Sequence, residues 1–194
     1  FVFGAAAWGI LTFVPLYAVS IYGMTTFRSG LILTPMSVGM ILASSVTSFF
    51  LLRWGYRWPM LIGTTATVLS LAFLGMQPAS TGILGVQLSS TAVLLIVLGF
   101  SGLGQGVLLP AANNACIDLM PQQIGTITGM RAMFRQGGGA VGTVATSLVL
   151  HNTSDMARGF YIVFLGLAAI LLVTIPTIFG MPSCAKAPAT RDAK

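Results

Sequence analysis

Six long apolar segments, each close to the length of a membrane-crossing helix, constrain the fold of this chain more than any other feature. A helix that crosses a bilayer needs about 20 predominantly apolar residues. The six segments, here named A to F in chain order, are Phe1–Tyr22, Ser29–Leu52, Pro59–Met76, Ser90–Ala112, Ile124–Leu150 and Gly159–Met181. A membrane β-barrel would need short segments of alternating polarity instead. The sequence therefore predicts an all-α, polytopic membrane protein with six transmembrane helices.

The composition excludes a water-soluble fold and most kinds of catalytic site. Only 6% of the 194 residues are charged and 56% are hydrophobic, whereas soluble domains carry roughly a quarter charged residues. The basic residues that give the net charge of +6 are scattered, so we expect no nucleic-acid partner. There is no Glu, and one His and two separated Cys supply no metal cluster. We therefore expect no enzyme activity, no cofactor and no metal.

The connections between the segments are short, so the sequence predicts one six-helix bundle over residues 1–182. Residues 183–194 are expected to form a disordered cytoplasmic tail. Arg53, Arg57 and the basic residues of the tail share one side of the membrane in this topology, while Arg28 and Arg158 lie on the other. Because cytoplasmic loops are enriched in Lys and Arg, we place the C-terminus in the cytoplasm, at the cell inner (plasma) membrane. The chain opens inside an apolar run, so we expect it to be part of a longer polypeptide.

The six segments divide into two triplets, A–C and D–F, that run in opposite directions across the membrane. This is the inverted-repeat plan of many transporters, in which interrupted helices at corresponding positions point to the substrate path. The first segment of each triplet is rich in Gly and contains a proline, Pro15 or Pro110. Polar side chains facing lipid are costly, and aromatic rings suit flat apolar or cationic ligands. We therefore predict these substrate-cavity residues on segments A and D, with plain helix packing as the alternative for the aromatic ones: Trp8, Thr12, Tyr17, Ser101 and Gln105.

Segment E combines positive charge with small residues on one face. Arg131 and Arg135 are four residues apart and so share a side of the helix. The same stripe continues to Gly138 and Gly142, a pair of small residues that lets two helix backbones approach closely. This combination indicates a face that meets protein and not lipid.

An arginine inside a span requires a partner, because its burial in a membrane is costly. The candidates for Arg131 are Asp118, in the predicted D–E connection, and the exposed carbonyls at the end of segment D. The alternative is that the long side chain reaches the membrane surface. We predict that Arg131, Arg135, Gly138, Gly142 and Asp118 serve gating or contact between domains, and that Asn113 and Asn114 cap segment D or begin the loop.

Several short runs resemble a known family. They are FVPLY at residues 13–17, RSGL at 28–31, LTP at 33–35 and RQGGGAVG at 135–142. Together they resemble the C-terminal half of major facilitator superfamily transporters, most closely the fourteen-helix drug:proton antiporter branch. The run RWGYR at 53–57 is similar to the second copy of the superfamily's basic loop motif, with Leu52 where that motif normally has an Asp.

The resemblance implies a secondary transporter that rocks two six-helix halves and exports small hydrophobic or cationic compounds against an inward flow of protons. Its partners would be the lipid bilayer, the missing N-terminal half of the same chain, a small-molecule substrate and protons. No carboxylate lies inside a predicted span, so we expect the proton-coupling acid in the missing half and no transport by this chain alone. The alternatives are an importer of sugars or organic acids from the same superfamily, or a membrane permease subunit.

Overall fold

The computed structural model describes residues 1–76, 90–119 and 121–179, and all the regular secondary structure within them is helical. The predicted tail at residues 183–194 and the predicted C–D connection, residues 77–89, lie outside the described residues. The helices are α1 (Val2–Tyr22), α2 (Thr26–Leu31), α3 (Thr34–Trp54), α4 (Arg57–Gly75), α5 (Ser90–Leu119), α6 (Ile124–Asn152) and α7 (Met156–Phe179).

The boundaries of the first helices follow from glycine and proline. Helix α1 ends at Gly23, which adopts the left-handed conformation with φ of 61°, a backbone state that glycine reaches without a Cβ penalty. Predicted segment B is divided in the structure, with α2 ending at Leu31 and α3 beginning at Thr34. Pro35 occupies the first turn of α3, and because it has no N–H it cannot donate the hydrogen bond to the carbonyl oxygen of Leu31 that would join α2 to α3. The break therefore falls just before this proline.

The predicted end of segment D at Ala112 is wrong. Helix α5 continues for about two more turns to Leu119, so the predicted connection at residues 113–123 shrinks to a short turn before α6. No Gly or Pro interrupts the chain between Asn113 and Pro121, and the polar side chain of Asn113 is satisfied on the helix surface. Asn113 is therefore neither a cap nor a loop residue.

The first helix of each triplet packs mainly against helices of the other triplet. Helix α1, the first of its triplet, packs mainly against α6 and α7, while α5 packs mainly against α3 and α4. The third helices of the two triplets, α4 and α7, also pack together. Each first helix thus contacts the second and third helices of the other triplet, which is the arrangement expected of two inverted three-helix repeats.

Glycine brings helix backbones together at both equivalent crossings. A Cβ on Gly102 would collide with the carbonyl oxygen of Met36, which joins α5 to α3, and one on Gly106 would lie 2.5 Å from the Met40 oxygen. At the α1–α6 crossing, a Cβ on Gly4 would collide with the carbonyl oxygen of Arg135. Only glycine permits these approaches, because the neighbouring atom is backbone and cannot rotate away.

Two apolar clusters occupy opposite ends of the bundle. The larger contains an aromatic group in which the Tyr17 ring lies 5.1 Å from that of Phe160 and 5.6 Å from that of Phe164, with edge-on geometry. The smaller cluster joins the α3–α4 turn to the second half of α5, through Tyr56 and Ala111 among others. Helix α4 is largely buried, because it lies between α5 and α7.

Five helical stretches in the described part of the chain are long and apolar enough to cross a membrane: Val2–Tyr22, Thr26–Leu51, Arg57–Gly75, Ala92–Asp118 and Met156–Phe179. Helix α6 has the length, at 29 residues, but lower mean hydropathy, because it contains two arginines and many small or polar residues. Its close packing along α1 places it in the same layer as the other five.

Candidate functional site

The guanidinium group of Arg131 is fixed between α5 and α6. Its Nη1 donates a hydrogen bond to Oδ1 of Asn113 over 2.6 Å, and its Nη2 donates to the carbonyl oxygen of Leu109 over 3.5 Å. The predicted contact with a backbone carbonyl near the end of segment D is therefore present. The partner at the shorter distance is an amide side chain, which carries no charge to neutralise that of the arginine.

Asp118 does not pair with Arg131 in this structure. Its carboxylate accepts a short hydrogen bond from the hydroxyl of Tyr56 in the α3–α4 turn. Because α5 continues past Asn113 as a helix, Asp118 lies more than one turn beyond Arg131's hydrogen-bond partner and at the very end of the bundle. The hydrogen-bond partner of Asp118 is therefore Tyr56. A role of Asp118 in gating remains a prediction.

Tyr56 belongs to a group of contacts at the end of the bundle that carries the α3–α4 turn. Burial, together with the hydrogen bond to Asp118, raises the pKa of the Tyr56 hydroxyl to about 12. Next to it, the guanidinium carbon of Arg57 lies 4.7 Å from the ring centre of Phe179, within cation–π range. These contacts fasten the start of α4 to the ends of α5 and α7.

A cavity of about 630 Å³ opens between the ends of α1, α4, α5, α6 and α7. Most of its wall is apolar, including Phe3, Met60 and Leu108, and its positive charges come from Arg131 and Arg135. This volume falls within the roughly 300–1,000 Å³ typical of small-molecule pockets. The cavity can therefore take an apolar group of drug-like size beside two cations.

A smaller cavity of about 350 Å³ lies on the α5–α6 side of the same arginines. Its wall is more polar and consists of Leu109, Pro110, Asn113, Thr128, Arg131, Ala132 and Arg135. The two cavities share Leu109 and both arginines, so positive charge lies at the boundary between an apolar space and a polar one.

Two of the predicted substrate-cavity residues are accessible and lie away from both of these cavities. Trp8 and Thr12 are exposed on one side of α1. The Trp8 ring also packs over the backbone of Gly139 on α6, at the α1–α6 crossing. Neither residue contacts the larger cavity, and their predicted contact with substrate is untested by this arrangement.

The other three predicted substrate-cavity residues are buried inside the bundle. Tyr17 forms the aromatic group with Phe160 and Phe164 described above, which is the packing alternative for that residue. On α5, Nε2 of Gln105 donates a long hydrogen bond of 3.4 Å to Oγ of Ser101. Ser101 and Gln105 are only 1% and 3% exposed, so they point into protein, and a ligand could reach them only if helices moved apart.

The predicted gating glycines lie at the α1–α6 crossing. A Cβ on Gly138 would collide with the carbonyl oxygen of Phe1, and a Cβ on Gly142 would lie 2.7 Å from the Cα of Ala5. Both residues therefore permit packing within this bundle. Their contribution to a domain interface remains a prediction, because the face they occupy is covered by α1.

Sequence reasoning missed two residues that organise this end of the molecule. Asn113 orients Arg131, and Tyr56 holds Asp118. The uninterrupted run from Asn113 to Leu119 was the available signal for the first, since it permits α5 to extend and present Asn113 to α6. No local pattern indicates the second, because Tyr56 and Asp118 are 62 residues apart in the chain.

Comparison with known proteins gives a family match over almost the whole chain. The family model described as Major Facilitator Superfamily matches residues 1–193. The chain is 27% identical over 167 residues to Multidrug resistance protein 3 of Bacillus subtilis (strain 168), an alignment that covers 82% of this chain and 31% of that protein.

Two further relatives come from Streptomyces. The Methylenomycin A resistance protein of Streptomyces coelicolor (strain ATCC BAA-471 / A3(2) / M145) is 29% identical over 175 residues, covering 88% of this chain and 35% of that protein. The Tetracenomycin C resistance and export protein of Streptomyces glaucescens is 26% identical over 145 residues, covering 74% of this chain and 26% of that protein. The chain thus spans about a third of the length of these relatives, or less.

Proposed function

The chain belongs to the Major Facilitator Superfamily, and from that membership we propose that it is half of a secondary active transporter that exports small hydrophobic or cationic compounds by proton antiport. The observation that supports this most is the reciprocal packing of two inverted three-helix repeats, the plan of transporters that alternate access around a central site. The names of its relatives, which refer to resistance and export, favour export over the import of sugars or organic acids.

The exposed faces of the helices suggest where the other half would pack. Helix α3 exposes Ser45 and Ser48, whose hydroxyls bond back to carbonyls of their own helix. Helix α6 exposes Gly129, Gln136 and Ser147 along one side. Small and polar residues are typical of faces where membrane helices meet other helices. We assign the faces of α3 and α6 to contact with the missing N-terminal half.

Helix α7 exposes mainly large apolar side chains, such as Ile162, Ile170 and Val173, whereas α3 and α6 mix such side chains, for example Phe49 and Met133, with the small and polar ones. Such a face suits lipid. Between these surfaces, α1 and α5 expose Trp8, Thr12 and Phe100. We propose that these first helices of each triplet line the substrate path, with Ser101 and Gln105 becoming accessible as the halves rock.

We place the protein in the cell inner (plasma) membrane with the C-terminus in the cytoplasm. The α3–α4 turn, the α5–α6 turn and the end of α7 lie together, through the contacts Tyr56–Asp118 and Arg57–Phe179. Because Arg53 and Arg57 flank the α3–α4 turn and the basic residues at 183–194 follow α7 in the sequence, the positive-inside rule favours this end as the cytoplasmic one. In this proposal residues 1–182 form the bundle.

Proton coupling is assigned to the missing half. The acids in the described part of the chain are Asp118, the last residue of its apolar stretch, and Asp155, in the turn before α7, so neither lies in the interior of a span. A proton carrier in a membrane pathway is normally an ionisable side chain inside the bundle. The coupling carboxylate would therefore be supplied by the other half, across the faces of α3 and α6.

The test is a flux measurement on the complete transporter in proteoliposomes with an acidic interior, diluted into neutral buffer containing ethidium. We expect ethidium uptake in exchange for protons, and its loss when a protonophore collapses the gradient. Residues 1–194 reconstituted alone should give no uptake. Uptake that persists without a gradient would refute proton coupling, and uptake by residues 1–194 alone would refute the need for the other half.

A further inference from the structure

The cavity of about 350 Å³ between α5 and α6 is a positively charged site in a chain of which only 6% of the residues are charged. Arg131 and Arg135 both line it, one helical turn apart. Neither arginine forms an ion pair with a carboxylate in residues 1–76, 90–119 or 121–179. Two unneutralised cations beside an apolar space are costly, and an anionic ligand group would reduce that cost.

The Arg131 side chain is held in place but still has hydrogen-bond donors without a partner in the described part of the chain. It donates one hydrogen bond to Asn113 and one to the carbonyl oxygen of Leu109, and a guanidinium group carries five N–H donors. Three donors therefore remain, and the fork of a guanidinium matches the two oxygens of a carboxylate. Arg135 is exposed and makes no hydrogen bond through its side chain within the described part of the chain.

The remaining wall offers no competing acid. Thr128 donates its hydroxyl hydrogen to the carbonyl oxygen of Ile124 over 2.7 Å, and Leu109, Pro110 and Ala132 are apolar or small. The larger, mostly apolar cavity begins at the same two arginines. A molecule with an anionic end and an apolar body would thus match the polarity on both sides.

We propose that Arg131 and Arg135 form a binding site for the carboxylate of amphipathic organic anions, so that the transporter prefers carboxylate-bearing compounds over the matching cations. The inference rests on the proposed function only in treating the ligand as an exported compound. Asn113 acts as a positioning residue, because it orients the guanidinium group without needing to touch the ligand. A cation at the same place would meet like charges and find no carboxylate on these walls.

The test is equilibrium binding to the purified complete transporter in detergent, without a pH gradient, measured by fluorescence anisotropy. The probes are rhodamine 19, which has a free carboxylate, and its ethyl ester rhodamine 6G, which has the same ring system. We expect rhodamine 19 to bind on the order of tenfold more tightly, the scale of one to two charge contacts near a membrane surface. Proton-driven flux is measured in a separate experiment. Failure of the binding preference would therefore not refute proton-coupled export, and failure of the flux would not refute the carboxylate site.

Two variants probe the site. Arg131→Gln combined with Arg135→Gln should abolish the preference for the carboxylate. Asn113→Asp keeps an oxygen in hydrogen-bonding position to Arg131 but places a competing carboxylate in the cavity, and it should lower rhodamine 19 affinity by about tenfold with little change for rhodamine 6G. The matched control is Arg28→Gln with Arg158→Gln, which removes two exposed positive charges from the opposite end of the bundle.

The preference should survive in the control pair and disappear in the other two variants. An equal or stronger affinity of the wild type for rhodamine 6G would overturn the proposal. The proposal would also be overturned if the Asn113→Asp variant folds, as judged by its melting temperature, and keeps the wild-type preference for rhodamine 19. Equal weakening of both probes by the arginine variants would assign Arg131 and Arg135 to packing of the two halves and not to ligand binding.

Discussion

The α3–α5 and α1–α6 crossings occupy equivalent places in the two triplets, but their exposed sides differ. Both bring backbone against backbone through glycine, at Gly102 in one crossing and Gly4 in the other. Helix α3 is part of a stretch apolar enough for a membrane span, whereas α6 carries two arginines and has no buried side chain before Gly138. The two repeats thus share glycine at the positions where helices cross. They differ on the exposed sides of the second helices, where only α6 carries the two arginines.

The largest effect is expected from a side chain at the two crossings. Gly102→Leu and Gly4→Leu each force a Cβ into a backbone carbonyl of the partner helix, and each should destabilise the complete transporter by at least about 3 kcal/mol, the upper range for overpacking. Thermal unfolding followed by size-exclusion chromatography measures this.

Gly166→Leu is the control for these variants, because a Cβ there has no neighbour within 4 Å among the described residues. Its melting temperature should stay close to that of the wild type. If Gly102→Leu were strongly destabilising and Gly4→Leu were tolerated, the two crossings would not be equivalent, and the repeat would be a likeness of topology alone.

The next effect concerns the charged side of α6. Arg131→Ala leaves Asn113 and the Leu109 carbonyl without their charged partner, and it should cost about 1.5–3 kcal/mol of stability. Arg135→Ala should cost under about 0.5 kcal/mol, because that side chain is exposed and makes no hydrogen bond in the described part of the chain. Equal losses in paired unfolding measurements would contradict the distinction between the two arginines.

A smaller effect is expected at the contact between the α3–α4 turn and the end of α5. Tyr56→Phe removes the hydrogen bond to Asp118 and should cost about 1 kcal/mol. Because the folded state raises the pKa of Tyr56 to about 12, its contribution is complete below the ordinary tyrosine pKa of about 10 and is lost as the pH rises through 12. Tyrosinate absorbance at high pH, compared between wild type and Tyr56→Phe, should show one tyrosine titrating late.

The last comparison is between the third helices of the two triplets. Helix α4 donates a buried hydrogen bond from Ser70 to the carbonyl oxygen of Val97 on α5, 2.9 Å away, whereas α7 meets α1 through the rings of Phe160 and Phe164. Ser70→Ala should cost about 0.6 kcal/mol, the average for hydrogen bonds between membrane helices. Phe164→Ala, which removes far more contact area, should cost several times as much, and a reversed order would contradict this view of the two interfaces.

Much of the fold could be predicted, because five of the spans in the described part of the chain are long, strongly apolar runs. The all-α class, the six long helices and the division into triplets follow from those runs and from the glycine-rich first helices. The end of α5 could not be placed, because polar residues such as Asn113 usually mark a loop and here serve a partner on another helix. Tertiary contact overrode the local signal.

The candidate site could be predicted only in part, because some of its contacts join residues that are distant in the sequence. Arg131 and Arg135 stand out because charge is rare in this chain, and their helical spacing gives a shared face. The burial of Tyr17 inside an aromatic group depends on α7, which lies more than 130 residues away in sequence. Which aromatic residues pack and which face a cavity therefore depends on contacts that no local pattern encodes.

The central claim is that α6 crosses the membrane despite its arginines, since the inverted repeat requires it. Single cysteines replacing Gln122 and Ser154, at the two ends of α6, in an otherwise cysteine-free complete transporter test this with a membrane-impermeant maleimide on intact cells. We predict labelling at position 154 in intact cells and at position 122 only after the membrane is permeabilised. Labelling of both positions from the same side would contradict the account.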